Sequence, residues 1–199
     1  QNALLREDFM EKSHVLRTKK TPYEVECTRQ ANNLGIKAHD AVRDAFFRGG
    51  ASEYELHALY LRTLGVTENE TPYENIIALN KNGSYLHYRQ KEVNKPKPLS
   101  FLIDAGARSG GYASDITRTY SFEKNNDFAH LVEAMDKMQL SIIDEIQKQK
   151  TYKDAQENSH LRLASLLLET EIAKGASAES LVEKKITRVF CPHGLGHFL

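Results

Sequence analysis

Hydrophobic and polar residues alternate with helical spacing in the first third of the chain. Thr21-Pro22-Tyr23-Glu24 precedes apolar residues that recur every three or four positions, and Gly49-Gly50 follows them. The pattern predicts one long helix, because Thr and Glu can cap a first turn and glycine tolerates the positive φ of a helix end. Ser52-Glu53-Tyr54-Glu55 repeats the capping pattern and predicts a shorter helix through Leu56, Leu59 and Tyr60.

Short β-prone segments occupy the middle of the chain. Residues 75–79 and 84–88 flank Asn82-Gly83, a pair that favours a tight turn, and they predict a first hairpin. Residues 101–107 and 112–122 predict a second strand pair. Helical spacing then returns, and the predicted helices cover residues 128–146, 152–174 and 180–186. Helices that alternate with hairpins predict an α+β fold with an antiparallel or mixed sheet flanked by helices.

Two aspartates lie on the second predicted strand pair. Asp104 and Asp115 are equidistant from a turn centred between Ser109 and Gly110, so a symmetric hairpin places them directly opposite each other. Opposed side chains have Cβ atoms roughly 5 Å apart, and two like charges at that distance repel unless a cation lies between them. The pattern indicates a shared divalent cation. A turn-capping or protonated aspartate stays open as the alternative, as does a bulge that shifts the register.

Histidines and glycines are concentrated near the last residues. Pro192-His193-Gly194-Leu195-Gly196-His197 places two imidazoles four residues apart, and its glycines permit close backbone approach to a metal ion or substrate. The glycines argue against a zincin-type helix, and an ordinary turn with surface histidines stays the alternative. His87 follows the first predicted hairpin, where a lone histidine is more often structural. We interpret Cys191, close to His193, as a passive thiol rather than a nucleophile.

Composition narrows the class of protein. Among 199 residues, 27 Lys and Arg balance 27 Asp and Glu, which disfavours nucleic-acid or membrane-surface binding through bulk charge. The longest apolar run is far short of the ~20 residues that a membrane span needs. Two cysteines are too few for a disulfide framework, so we expect a cytoplasmic protein. Because the chain opens on Gln1 and stops directly after the histidine motif, we expect a piece of a longer polypeptide.

Five ordered motifs resemble the catalytic domain of the Xaa-Pro dipeptidases, or prolidases, and especially their bacterial branch. The motifs are Thr71-Pro72-Tyr73-Glu74-Asn75 with the strand after it, Leu86-His87-Tyr88, residues 101–107, residues 114–120 and His193-Gly194-Leu195-Gly196-His197. Prolidases belong to the pita-bread metallopeptidases, with aminopeptidase P, methionine aminopeptidase and creatinase. The resemblance implies a truncated pita-bread catalytic domain over residues 21–199. Residues 1–20 would then be a linker helix from a missing amino-terminal domain.

The resemblance also implies roles for individual residues. Three of the family's five metal ligands have matches, which are Asp104, Asp115 and His197. His87 and His193 match active-site histidines that contact the substrate and help to stabilise the tetrahedral intermediate. Thr117 matches a residue that supports the ligands without binding the metal. The two other ligands are glutamates that we expect beyond residue 199.

The chemistry implied by the family is hydrolysis of an Xaa-Pro dipeptide by a hydroxide that bridges two divalent ions. A ligand set dominated by carboxylates favours Mn²⁺, with Co²⁺, Fe²⁺ and Zn²⁺ open as alternatives. A homodimer is expected. Two other functions stay open, an aminopeptidase P that acts on longer Xaa-Pro peptides and a non-catalytic pita-bread module that binds proteins. The metal-free creatinases are disfavoured by Asp104 and Asp115. We expect the 199 residues alone to be inactive and to bind metal weakly.

Overall fold

A computed structural model describes residues 2–149 and 151–197 of the chain. These residues form two compact units, one that ends at Phe122 and one that spans Glu123–His197. The first unit opens with three helices, α1 (Asn2–Thr18), α2 (Pro22–Arg48) and α3 (Glu53–Leu64). The predicted caps are confirmed, because reciprocal capping boxes join Thr21 with Glu24 and Ser52 with Glu55. Residues 2–18 are helical as predicted, and their linking role stays a prediction.

An antiparallel sheet carries the interior of the first unit. Strands β1 (Ile76–Leu79), β2 (Ser100–Ala105) and β5 (Ile116–Ser121) pair in the order β1-β2-β5, and β3 (Arg108–Ser109) pairs with β4 (Tyr112–Ala113). Burial alternates along β2, as expected of a strand with one face on a core. Its inward side chains Phe101 and Ile103 join one cluster with Phe46 of α2 and Tyr60 of α3. The predicted α+β class with an antiparallel sheet is confirmed.

The first predicted hairpin is wrong. β1 ends at Leu79, residues 80–84 form a 3₁₀ helix, and β1 pairs with β2 instead of residues 84–88. Asn80 explains the difference. Its side-chain oxygen accepts hydrogen bonds from the backbone N–H groups of Leu99 and Ser100 at 2.9 and 3.1 Å. These bonds hold the beginning of β2 beside the end of β1, so β2 takes the position of the pairing partner.

The second predicted strand pair forms, but in a different register. Asp104 pairs with Thr117 rather than with Asp115. The turn is centred between Gly110 and Gly111, whose φ angles are 56° and 86°, and a two-residue turn with positive φ at both positions matches the twist of a hairpin. The predicted centre lay one residue earlier, so each partner moves by two residues. Side chains alternate with a period of two, so they keep the predicted face.

The second unit consists of helices α4 (Asp127–Ile146), α5 (Tyr152–Glu169), α6 (Ala178–Glu183) and α7 (Thr187–Phe190). α5 stops earlier than predicted, because Glu171 takes a φ of 56° and the Ala173 N–H turns back to the carbonyl oxygen of Leu167 at 2.8 Å. No helix within the described ranges combines the length and the apolar character that crossing a bilayer requires.

Candidate metal and substrate site

The first unit brings the two predicted aspartates to neighbouring positions at one end of the sheet. Asp104 is the penultimate residue of β2, and Asp115 directly precedes β5. The Tyr73 hydroxyl group joins them: it donates a hydrogen bond to Oδ1 of Asp115 at 2.8 Å and is within hydrogen-bonding reach of Asp104. The aspartates are therefore diagonal neighbours held by a shared donor, not the directly opposed pair that the sequence predicted.

The environment of Asp104 disfavours its charged form. Burial raises the pKa of Asp104, and the charge of Asp115 adds to the effect, while hydrogen bonds from Tyr73 and Thr117 oppose it. Burial also raises the pKa of Tyr73, and the nearby charge of Asp104 raises it further. Oδ1 of Asp104 is buried without a hydrogen-bond partner among the described residues. A buried carboxylate oxygen in that state is costly unless a cation or another donor reaches it.

A glycine allows the Tyr73 segment to lie against the sheet. A Cβ atom on Gly106 would lie 2.0 Å from the backbone oxygen of Ser114 and 2.7 Å from Cγ of Pro72. The backbone of Ser114 cannot move aside without breaking its own bonds, because its N–H donates to Ala107 O at 2.9 Å. The bare backbone at position 106 thus sets how closely Pro72 and Tyr73 approach the two aspartates.

Thr117 and His87 also belong to the first unit. Thr117 faces Asp104 directly across the β2–β5 ladder, and its side chain is one of the groups that lower the pKa of that carboxyl. His87 is exposed on the loop between the 3₁₀ helix and β2. Its φ of 55° is uncommon for a residue with a side chain, so the surrounding loop must hold it in place.

The histidine motif lies in the second unit, after α7, with His193 and His197 exposed. Two side chains of α5 hold its backbone. The Tyr152 hydroxyl donates to Gly196 O at 2.6 Å and accepts from the Gly196 N–H. Oε1 of Gln156 accepts from the Leu195 N–H, and its Nε2 donates to His193 O at 3.5 Å. The motif therefore takes its shape from a helix about forty residues earlier in the chain.

A buried histidine completes this arrangement. Nε2 of Gln156 donates to Nε2 of His160 at 2.9 Å, because the other end of the amide is already engaged by Leu195. That ring nitrogen must then be an acceptor, so the proton of neutral His160 resides on Nδ1. Burial lowers the pKa of His160, and the charge of Arg188 lowers it further. Both effects favour the neutral ring that the hydrogen bond requires.

Sequence reasoning missed the residues that position the predicted ligands. Tyr73 lies within one of the motifs that resemble prolidases, but the sequence assigned it no function. A tyrosine directly before Glu74-Asn75 does not by itself indicate a contact with the aspartates. Tyr152, Gln156 and His160 recur at intervals of four, so they share one helix face, and this spacing could have identified the polar ladder.

The donor set of the first unit fits a hard divalent cation. Mn²⁺ and Mg²⁺ prefer oxygen ligands, and two adjacent carboxylates supply them here. One of these carboxylates, Asp104, has a buried oxygen that no group within the described ranges hydrogen-bonds. Within residues 2–149 and 151–197, no three His, Cys, Asp or Glu side chains converge to form a metal site by themselves. His197 is described with the second unit, and the complete ligand set stays a prediction.

Comparisons with known proteins identify the family. Residues 26–199 match metallopeptidase family M24, and the chain belongs to that family. The Xaa-Pro dipeptidases of Shewanella denitrificans and Shewanella sediminis are similar to it, with 51% and 50% identity over 187 residues, or 94% of this chain. The chain spans 42% of the length of these curated relatives.

Solved structures show the same fold. Zn-substituted Escherichia coli aminopeptidase P in complex with product matches 92% of this chain with a TM-score of 0.71 and 24% identity, and 42% of that protein is covered. Proline aminopeptidase P II from Yersinia pestis matches over the same shares with a TM-score of 0.71 and 27% identity. The predicted pita-bread fold and the resemblance to prolidases are thus confirmed.

Proposed function

We propose that the full-length gene product is a metal-dependent Xaa-Pro dipeptidase. The observation that carries the proposal is the pair of neighbouring carboxylates, Asp104 and Asp115, which share the Tyr73 hydroxyl group. One oxygen of Asp104 is buried and has no hydrogen-bond partner in the described part of the chain. Relatives that are 51% and 50% identical over 187 aligned residues bear the name Xaa-Pro dipeptidase, which supports this substrate class.

Asp104, Asp115 and His197 would hold two divalent ions, for which we propose Mn²⁺, together with two glutamates from beyond residue 199. The ions, when bound, supply Lewis acidity to the scissile carbonyl group and acidify water. Tyr73 donates to Asp115 at 2.8 Å and thereby orients its carboxylate. Thr117 orients Asp104 from across the ladder. His87 and His193, both exposed, contact the substrate and donate hydrogen bonds to its developing oxyanion.

The proline of the substrate places its own demands on the site. An Xaa-Pro bond is a tertiary amide without an N–H, so a pocket shaped for the ring leaves no donor unpaired. A dipeptidase must also bind the free carboxylate of the proline. A protonated histidine such as His87 or His193, or an arginine outside this chain, would form a charge-assisted hydrogen bond with it.

A substrate panel tests the activity. The full-length gene product, loaded with Mn²⁺, is compared on Ala-Pro, Ala-Pro-amide, Ala-Ala and Ala-Pro-Ala. We expect Ala-Pro to be the best substrate and the amide to bind poorly. A preference for Ala-Pro-Ala would identify an aminopeptidase P. Efficient cleavage of Ala-Ala would reject the proline assignment.

A charge-removing substitution tests the metal ligands. Asp104→Asn preserves shape but removes the negative charge, so bound Mn²⁺ and the rate of hydrolysis should fall together while the fold is retained. A purified variant with the metal content and turnover of the parent would assign Asp104 a structural role. Full metal binding with no peptidase activity in the parent would favour the non-catalytic protein-binding module.

Location and assembly belong to the same proposal. Cys27 and Cys191 are both free thiols, which supports a reducing compartment such as the cytoplasm. A homodimer is proposed for the full-length gene product, and light scattering after size-exclusion chromatography measures it directly.

A further inference from the structure

Glu53 is a buried acidic residue that neither the metal site nor the helix cap requires. It is the first residue of α3 and is only 2% exposed. Its Oε1 atom accepts hydrogen bonds from the Leu79 N–H at 2.7 Å and from Asn82 Nδ2 at 2.9 Å. Its Oε2 atom accepts from the Tyr88 hydroxyl at 2.7 Å and from the Glu92 N–H at 3.0 Å. Four donors thus satisfy one carboxylate.

All four donors come from the chain segment that carries His87. They lie between the end of β1 and residue 92, and residues 85–92 within that span have no regular secondary structure. Tyr88 is buried beside Glu53, while its neighbour His87 is exposed and has a φ of 55°. The hydrogen bond to Tyr88 therefore fixes the backbone one residue from His87.

A second anchor holds the far side of this loop. Lys91 has a side chain that is only 11% exposed, and its Nζ atom lies 3.5 Å from a carboxylate oxygen of Glu74 and 4.0 Å from one of Glu68. Glu74 also pairs with Arg89 at 3.3 Å. Since Glu74 follows Tyr73 in sequence, the His87 loop is tied to the segment that contacts the aspartates. Glu53 holds the loop from inside, and these ion pairs hold it from the surface.

The carboxylate cannot be replaced by the isosteric amide without loss. Leu79 N–H donates to one oxygen and Glu92 N–H to the other, and neither backbone group can reverse its role. Whichever way a glutamine is turned, its NH₂ group faces one of these N–H groups and leaves it without an acceptor. The loss of one such hydrogen bond should raise the equilibrium constant for local opening of this segment about tenfold.

We propose that Glu53 is a positioning residue that acts through His87. It holds residues 80–92 in the conformation that presents His87 to the substrate. The inference rests on the proposed function for the role of His87, whereas the anchoring itself does not depend on it.

Hydrogen exchange followed by mass spectrometry tests the anchoring in the full-length gene product. Glu53→Gln should raise amide exchange in peptides that cover residues 80–92 by about tenfold. Glu169→Gln is the control, because it makes the same change at an exposed position of α5, outside the first unit. Its exchange should equal that of the parent. Unchanged exchange over residues 80–92 in Glu53→Gln would overturn the proposal.

If Glu53→Gln does not fold, Tyr88→Phe replaces it. That variant removes one of the four donors and retains the carboxylate, so exchange should rise by about threefold and only around residues 85–90. No rise in that region would also count against the anchoring role.

A double-mutant cycle tests the action through His87. On Ala-Pro, Glu53→Gln should lower kcat/KM by about tenfold at unchanged metal content, with the same split between kcat and KM as His87→Ala. In the His87→Ala background, Glu53→Gln should not lower kcat/KM any further. Additive losses would show that Glu53 does not act through His87. A parent that hydrolyses no Xaa-Pro peptide would reject the proposed function, while the exchange comparison would still decide the anchoring.

Discussion

The aspartate pair and the histidine motif reach their positions by different means. Asp104 and Asp115 are placed by the backbone ladder of paired strands, and a hydroxyl group, Tyr73, joins their side chains. The histidine motif follows a short helix and is shaped by two side chains of α5, Tyr152 and Gln156. Backbone pairing confines a position strongly, whereas single side-chain bonds can be broken one at a time. We therefore expect substitutions near the aspartates to affect the whole first unit and substitutions near the histidines to act locally.

The largest effect is expected from Gly106→Ala. The new methyl group would meet the Ser114 backbone oxygen at 2.0 Å, and that backbone cannot yield. Overpacking of this kind should lower the free energy of unfolding by about 3 kcal/mol. Urea unfolding of the chain measures it. Gly83→Ala is the control, because its methyl group would meet Leu102 Cβ at an ordinary 3.5 Å. Equal stability of the two variants would contradict the close approach at Gly106.

A smaller and local effect is expected from Gln156→Ala. The substitution leaves the Leu195 N–H and the His193 carbonyl without their partner, at a cost of about 1.5 kcal/mol. Hydrogen exchange should increase at residues 193–196 and stay unchanged in the first unit. Glu157→Ala, an exposed position next along α5, should leave the motif as it is in the parent. Faster exchange at residues 193–196 in both variants would mean that α5 as a whole, rather than the Gln156 side chain, protects these amides from exchange.

Tyr73→Phe should have a still smaller effect on the metal-free chain. It removes the donor at 2.8 Å from Asp115 and leaves two neighbouring carboxylates without it, so we expect a loss of about 1 kcal/mol in unfolding experiments. Tyr54→Phe, on an exposed ring, is the matched control. If Mn²⁺ occupies the pair in the full-length gene product, calorimetry should show weaker binding to Tyr73→Phe, because Asp115 loses its fixed orientation. A stability equal to that of the parent would indicate that the Tyr73 hydroxyl does not support the pair.

The smallest effect is a pH dependence of the second unit. The pKa of His160 is lowered in the folded protein from its ordinary value of 6.5, so the unfolded chain takes up the proton first. Stability should be fully present above pH 6.5 and should fall as the pH drops from 6.5 toward the folded pKa. Exchange rates of the second unit at pH values from 7.5 to 5.5, corrected for intrinsic rates, measure this fall. Exchange in the His160→Gln variant should not depend on pH in this way. If that variant shows the same pH dependence as the parent, a group other than His160 causes it.

The sequence predicted the parts of the molecule that depend on local patterns. Both helix caps and the pairing of β2 with β5 follow from neighbouring residues, and so does the proximity of the two aspartates. The register was wrong because Gly110-Gly111, rather than Ser109-Gly110, forms the turn. The first hairpin failed because the bonds of Asn80 join positions about twenty residues apart. Tyr73 could not be placed for the same reason. The spacing of Gln156 indicates its helix face, but not its partners near residue 195, which are distant in the chain.

The hydroxyl group between the two aspartates has a consequence for how these positions can change in evolution. Tyr73 donates to Asp115 at 2.8 Å and is within hydrogen-bonding reach of Asp104, so three positions that are distant in the sequence share one arrangement. Loss of the aspartates would leave the hydroxyl group without these acceptors, and loss of the hydroxyl group would remove a donor that the two like charges share. We therefore expect positions 73, 104 and 115 to vary together among related sequences rather than one at a time.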